Sequence, residues 1–174
     1  MPTNIEMKAI LKNRVAAANV AARLSDTSPQ TIQQEDFFFK CDRGRLKLRI
    51  FASDRGELIR YERSDIADAR VSRYLIARTP DPQILNEILT GTLGRIGVVK
   101  KTRVLYLIGP ARVHIDEVHG LGDFLELEVV LRPGQSEVEG KGIATALLAE
   151  FGITQNELVA EAYVDLLARR AVSN

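Results

Sequence analysis

The sequence has no tryptophan and a single cysteine, Cys41, among its 174 residues. One thiol can build neither an internal disulfide framework nor a cysteine-rich zinc site. Aromatic residues make up only 6% of the chain, too few for single-stranded nucleic-acid binding by base stacking. An excess of charge is also missing. Lys and Arg number 24 against 23 Asp and Glu, a net charge of +1, whereas a nonspecific DNA binder carries a global basic field. No nucleic-acid partner is therefore expected. There is no run of 18 apolar residues to span a bilayer, and residues 1–24 lack the continuous apolar stretch of a signal peptide; with no membrane segment, a cytoplasmic protein is expected. The G-x-S-x-G nucleophile elbow, the P-loop and the Rossmann glycine fingerprint are all absent. No repeat, low-complexity tract or long linker divides the chain. Its length suits a single domain over residues 1–174.

What the sequence does contain is charge in strict alternation with aliphatic residues. It runs through Ile5-Glu6-Met7-Lys8-Ala9, Arg45-Leu46-Lys47-Leu48-Arg49-Ile50, Lys101-Thr102-Arg103-Val104, Arg112-Val113-His114-Ile115-Asp116 and Leu125-Glu126-Leu127-Glu128-Val129. A period of two is a strand with one face apolar and one face polar. Here the polar faces are almost wholly Lys, Arg, Glu and Asp. Like charges on neighbouring strands repel unless something of opposite sign lies among them, and a polyanion carrying divalent cations would answer both signs.

Turn and cap signals frame the rest. Strands are expected at residues 3–11, 34–40, 45–51, 57–63, 70–78, 98–108, 111–118 and 123–132, with tight turns at Asp42-Arg43-Gly44, Ser53-Asp54-Arg55-Gly56 and Gly109-Pro110. The alanine-rich stretch 12–24 reads as a helix. Pro80 and Pro82 open another through Leu93. Ser136 starts a third that ends near Gly152, in which Gly140-Lys141-Gly142 reads as an irregularity. Thr154 and Glu157 form a capping box for a fourth, with Leu158, Tyr163, Leu166 and Leu167 on its apolar stripe. About eight antiparallel strands and four helices make an α+β fold. The apolar strand faces and helical stripes must bury one another, which places the helices outside. A flat sheet would leave the charged faces in open water; a sheet closed into a barrel gathers them in one lumen.

Glu126 and Glu128 lie two apart on one strand and so share a face; Glu6 and Asp116 occupy the corresponding faces of their strands. Carboxylate oxygens in this arrangement suit Mg²⁺ or Mn²⁺. Arg45, Lys47 and Arg49 share a face, as do Lys101 and Arg103, and Lys8 and Arg112 continue the pattern. Guanidinium and ammonium groups are the usual partners of phosphoryl oxygens. His114 reads as a polar neighbour in the sheet, and Tyr163 and Asp165 as structural residues.

These residues resemble a known family. Ile5-Glu6-Met7-Lys8 is similar to the E-x-E-x-K strand of the CYTH superfamily, the triphosphate tunnel metalloenzymes. The block from His114 to Glu128, His-Ile-Asp-Glu-Val-His-Gly-Leu-Gly-Asp-Phe-Leu-Glu-Leu-Glu, resembles the late strands of the class IV adenylate cyclase branch. Gln34 and Asp36 before Phe38-Phe39 fit its Q-x-D-x-[YF]-F, and Tyr163-Val164-Asp165-Leu166-Leu167 its C-terminal S-Y-x-D-L-L. The resemblance runs from residue 4 to about 167.

It implies an eight-stranded antiparallel tunnel with a charged lumen that binds a triphosphate with Mg²⁺ or Mn²⁺. It implies metal ligation by Glu6, Glu126 and Glu128 with Asp116 close by. Phosphate contacts would come from Lys8, Arg45, Lys47, Lys101 and Arg103, joined by Arg49 and Arg112, with Lys8, Lys101 and Arg103 acting in catalysis. Two positions depart from the pattern. Asn4 stands where the family has its first Glu. Tyr61-Glu62-Arg63 stands where the cyclase branch carries Tyr-Lys-Gly, so that Arg60, on the same face as Glu62, is the expected replacement for the missing lysine. The implied activity is conversion of ATP to cyclic AMP and pyrophosphate. The alternatives are hydrolysis of inorganic, thiamine or another organic triphosphate, and non-catalytic binding of a polyphosphate or nucleotide. Related cyclases imply a homodimer.

Overall fold

The computed structural model describes residues 3–63 and 68–173. In chain order the elements are β1 (Thr3–Ile10), α1 (Arg14–Leu24), β2 (Gln30–Phe39), β3 (Arg45–Ala52), β4 (Arg55–Arg63), β5 (Arg70–Thr79), α2 (Pro82–Leu93), β6 (Arg95–Ile108), β7 (Ala111–Val118), β8 (Gly122–Val130), α3 (Glu137–Glu150), a single 3₁₀ turn (Gln155–Glu157) and α4 (Tyr163–Val172). The strands close into an antiparallel barrel in the order β1-β5-β4-β3-β2-β6-β7-β8, and β1 completes the ring by pairing with both β5 and β8. The four helices lie outside it, as the apolar strand faces require.

The alternation becomes an inside and an outside. Ile5, Met7, Leu125, Leu127, Val129, Val113 and Ile115 point outward from β1, β8 and β7, where they pack with Ala17 and Ala21 of α1 and Ala144 and Leu148 of α3. Small residues on both helices let their backbones lie close to the sheet. Gly140 belongs to this contact. The expected irregularity at Gly140-Lys141-Gly142 is instead continuous helix within α3. A Cβ at Gly140 would stand 2.5 Å from Leu131 Cδ2 and 2.7 Å from Ile5 Cγ1. The glycine is there for close packing rather than for a break in the helix.

Two strands begin earlier than their sequence signal. β2 starts at Gln30 and β6 at Arg95, because the two pair with each other along nearly their whole length, from Gln30↔Leu105 to Phe39↔Arg95. Tertiary pairing here overrides the weak strand character of the Gln-rich stretch.

The C-terminal region differs more. Thr154 and Glu157 do form a capping box, but it opens only the 3₁₀ turn. Leu158 bridges Ala9 and Val159 N donates to Lys8 O, so the chain runs extended along β1 before α4 starts at Tyr163. Ala162, Tyr163 and Val164 then pack with Phe38, Val99, Val118 and Phe124. Phe38, Val99 and Phe124 lie on the inner faces of their strands, so the first turn of α4 stops one end of the barrel. Gly97 admits it: a Cβ there would lie 2.4 Å from Val164 Cγ2.

Candidate active site

The antiparallel register sets the depth of each inward side chain. At the stopped end lie Phe38, Val99 and Phe124. One step up come Lys8, Lys47, Lys101, Asp36 and Asp116. Next come Arg49, Arg103, Glu126 and His114, and nearest the open rim Asn4, Glu6, Glu57, Arg78, Arg112 and Glu128. All but Phe124, Asp116 and His114 line a cavity of about 390 Å³. A shallower hollow of about 910 Å³, with Gln30, Ile32, Phe51 and Arg55 on its walls, adjoins the rim and shares Glu57 and Arg78 with the cavity.

The deep charges satisfy one another. Asp116, fully buried, accepts from Lys101 Nζ at 2.7 Å, from Arg103 Nε and Nη2 at 2.7 Å each, and from the Tyr163 hydroxyl at 3.1 Å. Burial alone would raise its pKa, but Arg103 and Lys101 hold it well below the usual carboxylate range. Asp36 is the counterpart on β2, on the other side of β6. It accepts from Lys47 at 2.8 Å and from both Arg49 nitrogens at 2.8 and 2.9 Å, and these two cations overcome burial to hold it likewise low. Glu126 pairs with Arg103, with Lys101 at 3.7 Å and with Lys8 at 3.5 Å. Burial opposes its charge, yet Lys101 and Arg103 keep it well below its ordinary value. Lys8 is 3% exposed, donates to Glu161 O at 2.9 Å and lies 4.0 Å from the centre of the Tyr163 ring. Burial pulls its pKa down to about 7, with Glu126 opposing. Burial similarly takes Lys47 to about 8.

The rim is arranged otherwise. Glu6 and Glu128 face each other directly across β1 and β8, a like-charge pair that disfavours the empty sheet. Glu128 has a distant opposite charge in Arg112 at 3.9 Å and lies 3.8 Å from the His114 ring. Burial, and Arg103 after it, lower His114 to about 4, so the ring is neutral. Ligand atoms of His114, Glu126 and Glu128 all lie within 4.8 Å of one another, close enough to share one metal ion. Asn4 Oδ1 and His114 Nδ1 are buried without a hydrogen-bond partner among the described residues. Two oriented acceptors beside a carboxylate pair suit a cation.

Of the side chains singled out from the sequence, Lys8, Lys47, Arg49, Lys101, Arg103, Arg112, Glu6, Glu126 and Glu128 line this one cavity. Three do not. Asp116 lies beneath it, fully engaged as the counterion of Lys101 and Arg103, and is not placed as a metal ligand. Arg45 pairs with Asp165 of α4 at 2.8 Å, at the stopped end. Arg60 sits opposite Leu46 on the outer face of β4, where it pairs with Glu62. The arginine of β4 that faces the lumen is Arg63. The inner face of β4 is Glu57, Ile59, Tyr61 and Arg63, as mixed as its outer one, so alternation alone gave no phase. Sequence reasoning also passed over Asp36, Arg78 and Tyr163. Asp36 had a signal, the inward triplet Gln34, Asp36, Phe38. Tyr163 depends on where the last helix packs.

The CYTH domain model matches residues 2–163. The chain belongs to the CYTH family. Solved structures carry the same fold at low identity. The PH1012 protein of Pyrococcus horikoshii is 23% identical with a TM-score of 0.84, covering 94% of this chain and 99% of its own. A Vibrio parahaemolyticus protein proposed to be an adenylate cyclase is 17% identical with a TM-score of 0.75, covering 95% and 97%. A Hippeastrum protein, proposed as an adenylyl cyclase and described as having a dominant triphosphatase activity, is 16% identical with a TM-score of 0.62, covering 98% and 96%. No functionally curated protein matches the chain. Among the described residues, no helix is long and apolar enough to cross a membrane.

Proposed function

We propose that this CYTH protein is a divalent-metal-dependent enzyme that binds a triphosphate in the barrel lumen and converts ATP to cyclic AMP and pyrophosphate. The observation that carries the reading is the charge inventory of the cavity. Eight basic side chains line it against five acidic ones, an excess that a triphosphate partly neutralised by a divalent cation balances. Lys8 on β1, Lys47 and Arg49 on β3, and Lys101 and Arg103 on β6 spread the cations over three strands, a span that a ligand with several phosphates bridges better than a single phosphate. Each of these arginines uses part of its donor fork on an internal aspartate and keeps further N–H groups for a ligand.

The stopped end fixes direction. Tyr163 leaves no room for a nucleoside beyond the phosphates, so the organic group points to the rim and the adjoining hollow. The ribose 3′ hydroxyl gives up its proton to water and its oxygen bonds to the α-phosphorus, the bond from that phosphorus to the bridging oxygen breaks, and pyrophosphate leaves. Lys8, Lys101 and Arg103 surround the deep, leaving phosphates and stabilise the charge that builds there. Glu126 and Glu128, with Glu6 across the strand, would hold Mg²⁺ or Mn²⁺, which supplies charge neutralisation and alignment of the leaving group.

One observation favours a second reaction in the same site. Lys8, whose charged form burial disfavours, lies at the stopped end of the lumen against Tyr163 and Glu126, where the terminal phosphate would sit. There it could take a proton from an attacking water, making a triphosphatase. A product assay with ATP and Mn²⁺ or Mg²⁺ decides. Cyclic AMP with pyrophosphate is the expected result; ADP with phosphate establishes the hydrolase instead. No product, together with an unchanged melting temperature in tripolyphosphate and Mg²⁺, would sink the triphosphate reading altogether.

A further inference from the structure

We propose that His114 is a ligand of the metal, its Nδ1 joining one carboxylate oxygen each from Glu126 and Glu128 in a mixed nitrogen–oxygen site that favours Mn²⁺ and similar transition ions over Mg²⁺. The proposal rests on the metal use proposed above and adds a residue and a selectivity to it.

Position supports it first. His114 is directly opposite Glu126 in the β7–β8 register, and Glu128 is the diagonal neighbour on the same face. Its Nδ1 lies 3.8 Å from Glu128 Oε1. Two ligands each about 2.1 Å from a common ion are separated by at most about 4.2 Å, so this spacing fits a shared ion. It is too long for a hydrogen bond. The three ligand atoms within 4.8 Å need only small rotations to converge.

Satisfaction supports it next. His114 is 5% exposed, and its Nδ1 is buried with no hydrogen-bond partner among the described residues. A buried polar atom without a partner is costly, and this one faces Glu128 at 3.8 Å, with the Glu126 carboxylate also within 4.8 Å of the ring's ligand atom. An imidazolium there would compete with Arg103, which already pairs with Glu126. A cation held between the neutral ring and both carboxylates satisfies all three groups. With His114 buried behind Glu126 and Glu128, which line the cavity, the remaining coordination positions would face the lumen, where phosphate oxygens arrive.

Selectivity follows from donor chemistry. Mg²⁺ demands oxygen ligands, whereas nitrogen affinity climbs along the first transition series from Mn²⁺. The two carboxylates serve either ion; the imidazole serves only the second.

Mn²⁺ itself is the probe, titrated into the full chain alone and with inorganic tripolyphosphate, with pulsed EPR as the readout. The expected result is nitrogen modulation of the bound Mn²⁺ that changes when the histidines carry ¹⁵N. In His114→Gln the modulation disappears and Mn²⁺ binds at least about tenfold more weakly, the loss seen even for outer-shell partners. Mg²⁺ competition should move less than twofold. Bound Mn²⁺ without nitrogen modulation in the native protein overturns the proposal, and needs no variant to fold. Modulation that persists in His114→Gln overturns it too, as does no Mn²⁺ binding under either condition. Glu126→Gln and Glu128→Gln separate this from the broader reading. If both lose Mn²⁺ while His114→Gln keeps it, the carboxylate site stands and the histidine ligand falls.

Discussion

The deep end of the lumen and its rim are built from the same residue types but differ in how their charges are met. In the depth, Asp116 serves Lys101 and Arg103, and Asp36 serves Lys47 and Arg49, each at 2.7–2.9 Å. At the rim, Glu6 faces Glu128, and Glu128 has Arg112 only at 3.9 Å and the neutral His114 ring at 3.8 Å. A barrel that merely needed to hide charge would pair both levels. The deep level is a scaffold that holds cations in place; the rim is complete only when a ligand of both signs enters. The comparison therefore predicts opposite responses to removing an acid from each level.

Removing the deep acid should cost stability. Asp116→Ala leaves two buried cations with Glu126 alone between them and orphans the Tyr163 hydroxyl. Breaking one side of a buried ion pair costs about 3–5 kcal/mol, which denaturant unfolding would read directly. A loss under about 1 kcal/mol would mean that water or Glu126 already satisfies Lys101 and Arg103, and the distinction between levels would fail.

Removing the rim acid should cost function instead. Glu128→Gln relieves the opposition with Glu6 and loses only long contacts, so unfolding stability should hold within about 0.5 kcal/mol or rise. Metal-dependent turnover should fall at least about a hundredfold, or about 2.7 kcal/mol of transition-state stabilisation. Unchanged turnover, measured at saturating Mn²⁺, would remove Glu128 from the reaction.

Much of this plan was visible in the sequence, and the parts that were not share a cause. Alternation of charged with aliphatic residues is local, so it placed Lys8, Lys47, Lys101, Arg103, Glu126 and Glu128 inside one closed barrel. Depth along the barrel axis is not local. It depends on register, and register places Asp116, expected beside the metal-ligating glutamates, as a buried counterion of Lys101 and Arg103. The destination of the C-terminal segment is also set by tertiary contacts. Val159 reaches back to Lys8 O and Tyr163 stops the lumen, which no cap signal at Thr154 could foretell. Arg45 is diverted to Asp165 by the same docking. Arg60 failed for a simpler reason: β4 is mixed on both faces, and a one-residue change of phase exchanges the faces.

The smallest effect concerns protons, and it sharpens the comparison because it isolates the cost of the deep cations. Burial lowers Lys8 to about 7 from 10.5 and Lys47 to about 8. Below pH 7 both the native and the unfolded chain hold the Lys8 proton, and the native state bears the full cost of burying that charge. Between pH 7 and 10.5 the unfolded chain still binds a proton that the native state has released, so stability rises with pH through this window. Lys47 acts in the same direction from about pH 8. One group fully in this regime contributes about 1.4 kcal/mol per pH unit. Water entering from the rim weakens the burial, and an increase of about 1 kcal/mol from pH 7 to pH 9 is the expected outcome. Urea unfolding of the native protein and of Lys8→Met at both pH values provides the measurement. The native chain should gain stability and the variant should gain less. A native protein whose stability stays flat over this interval would mean that Lys8 keeps its proton, held by Glu126, and that the deep level is a fully charged lattice rather than one that releases protons.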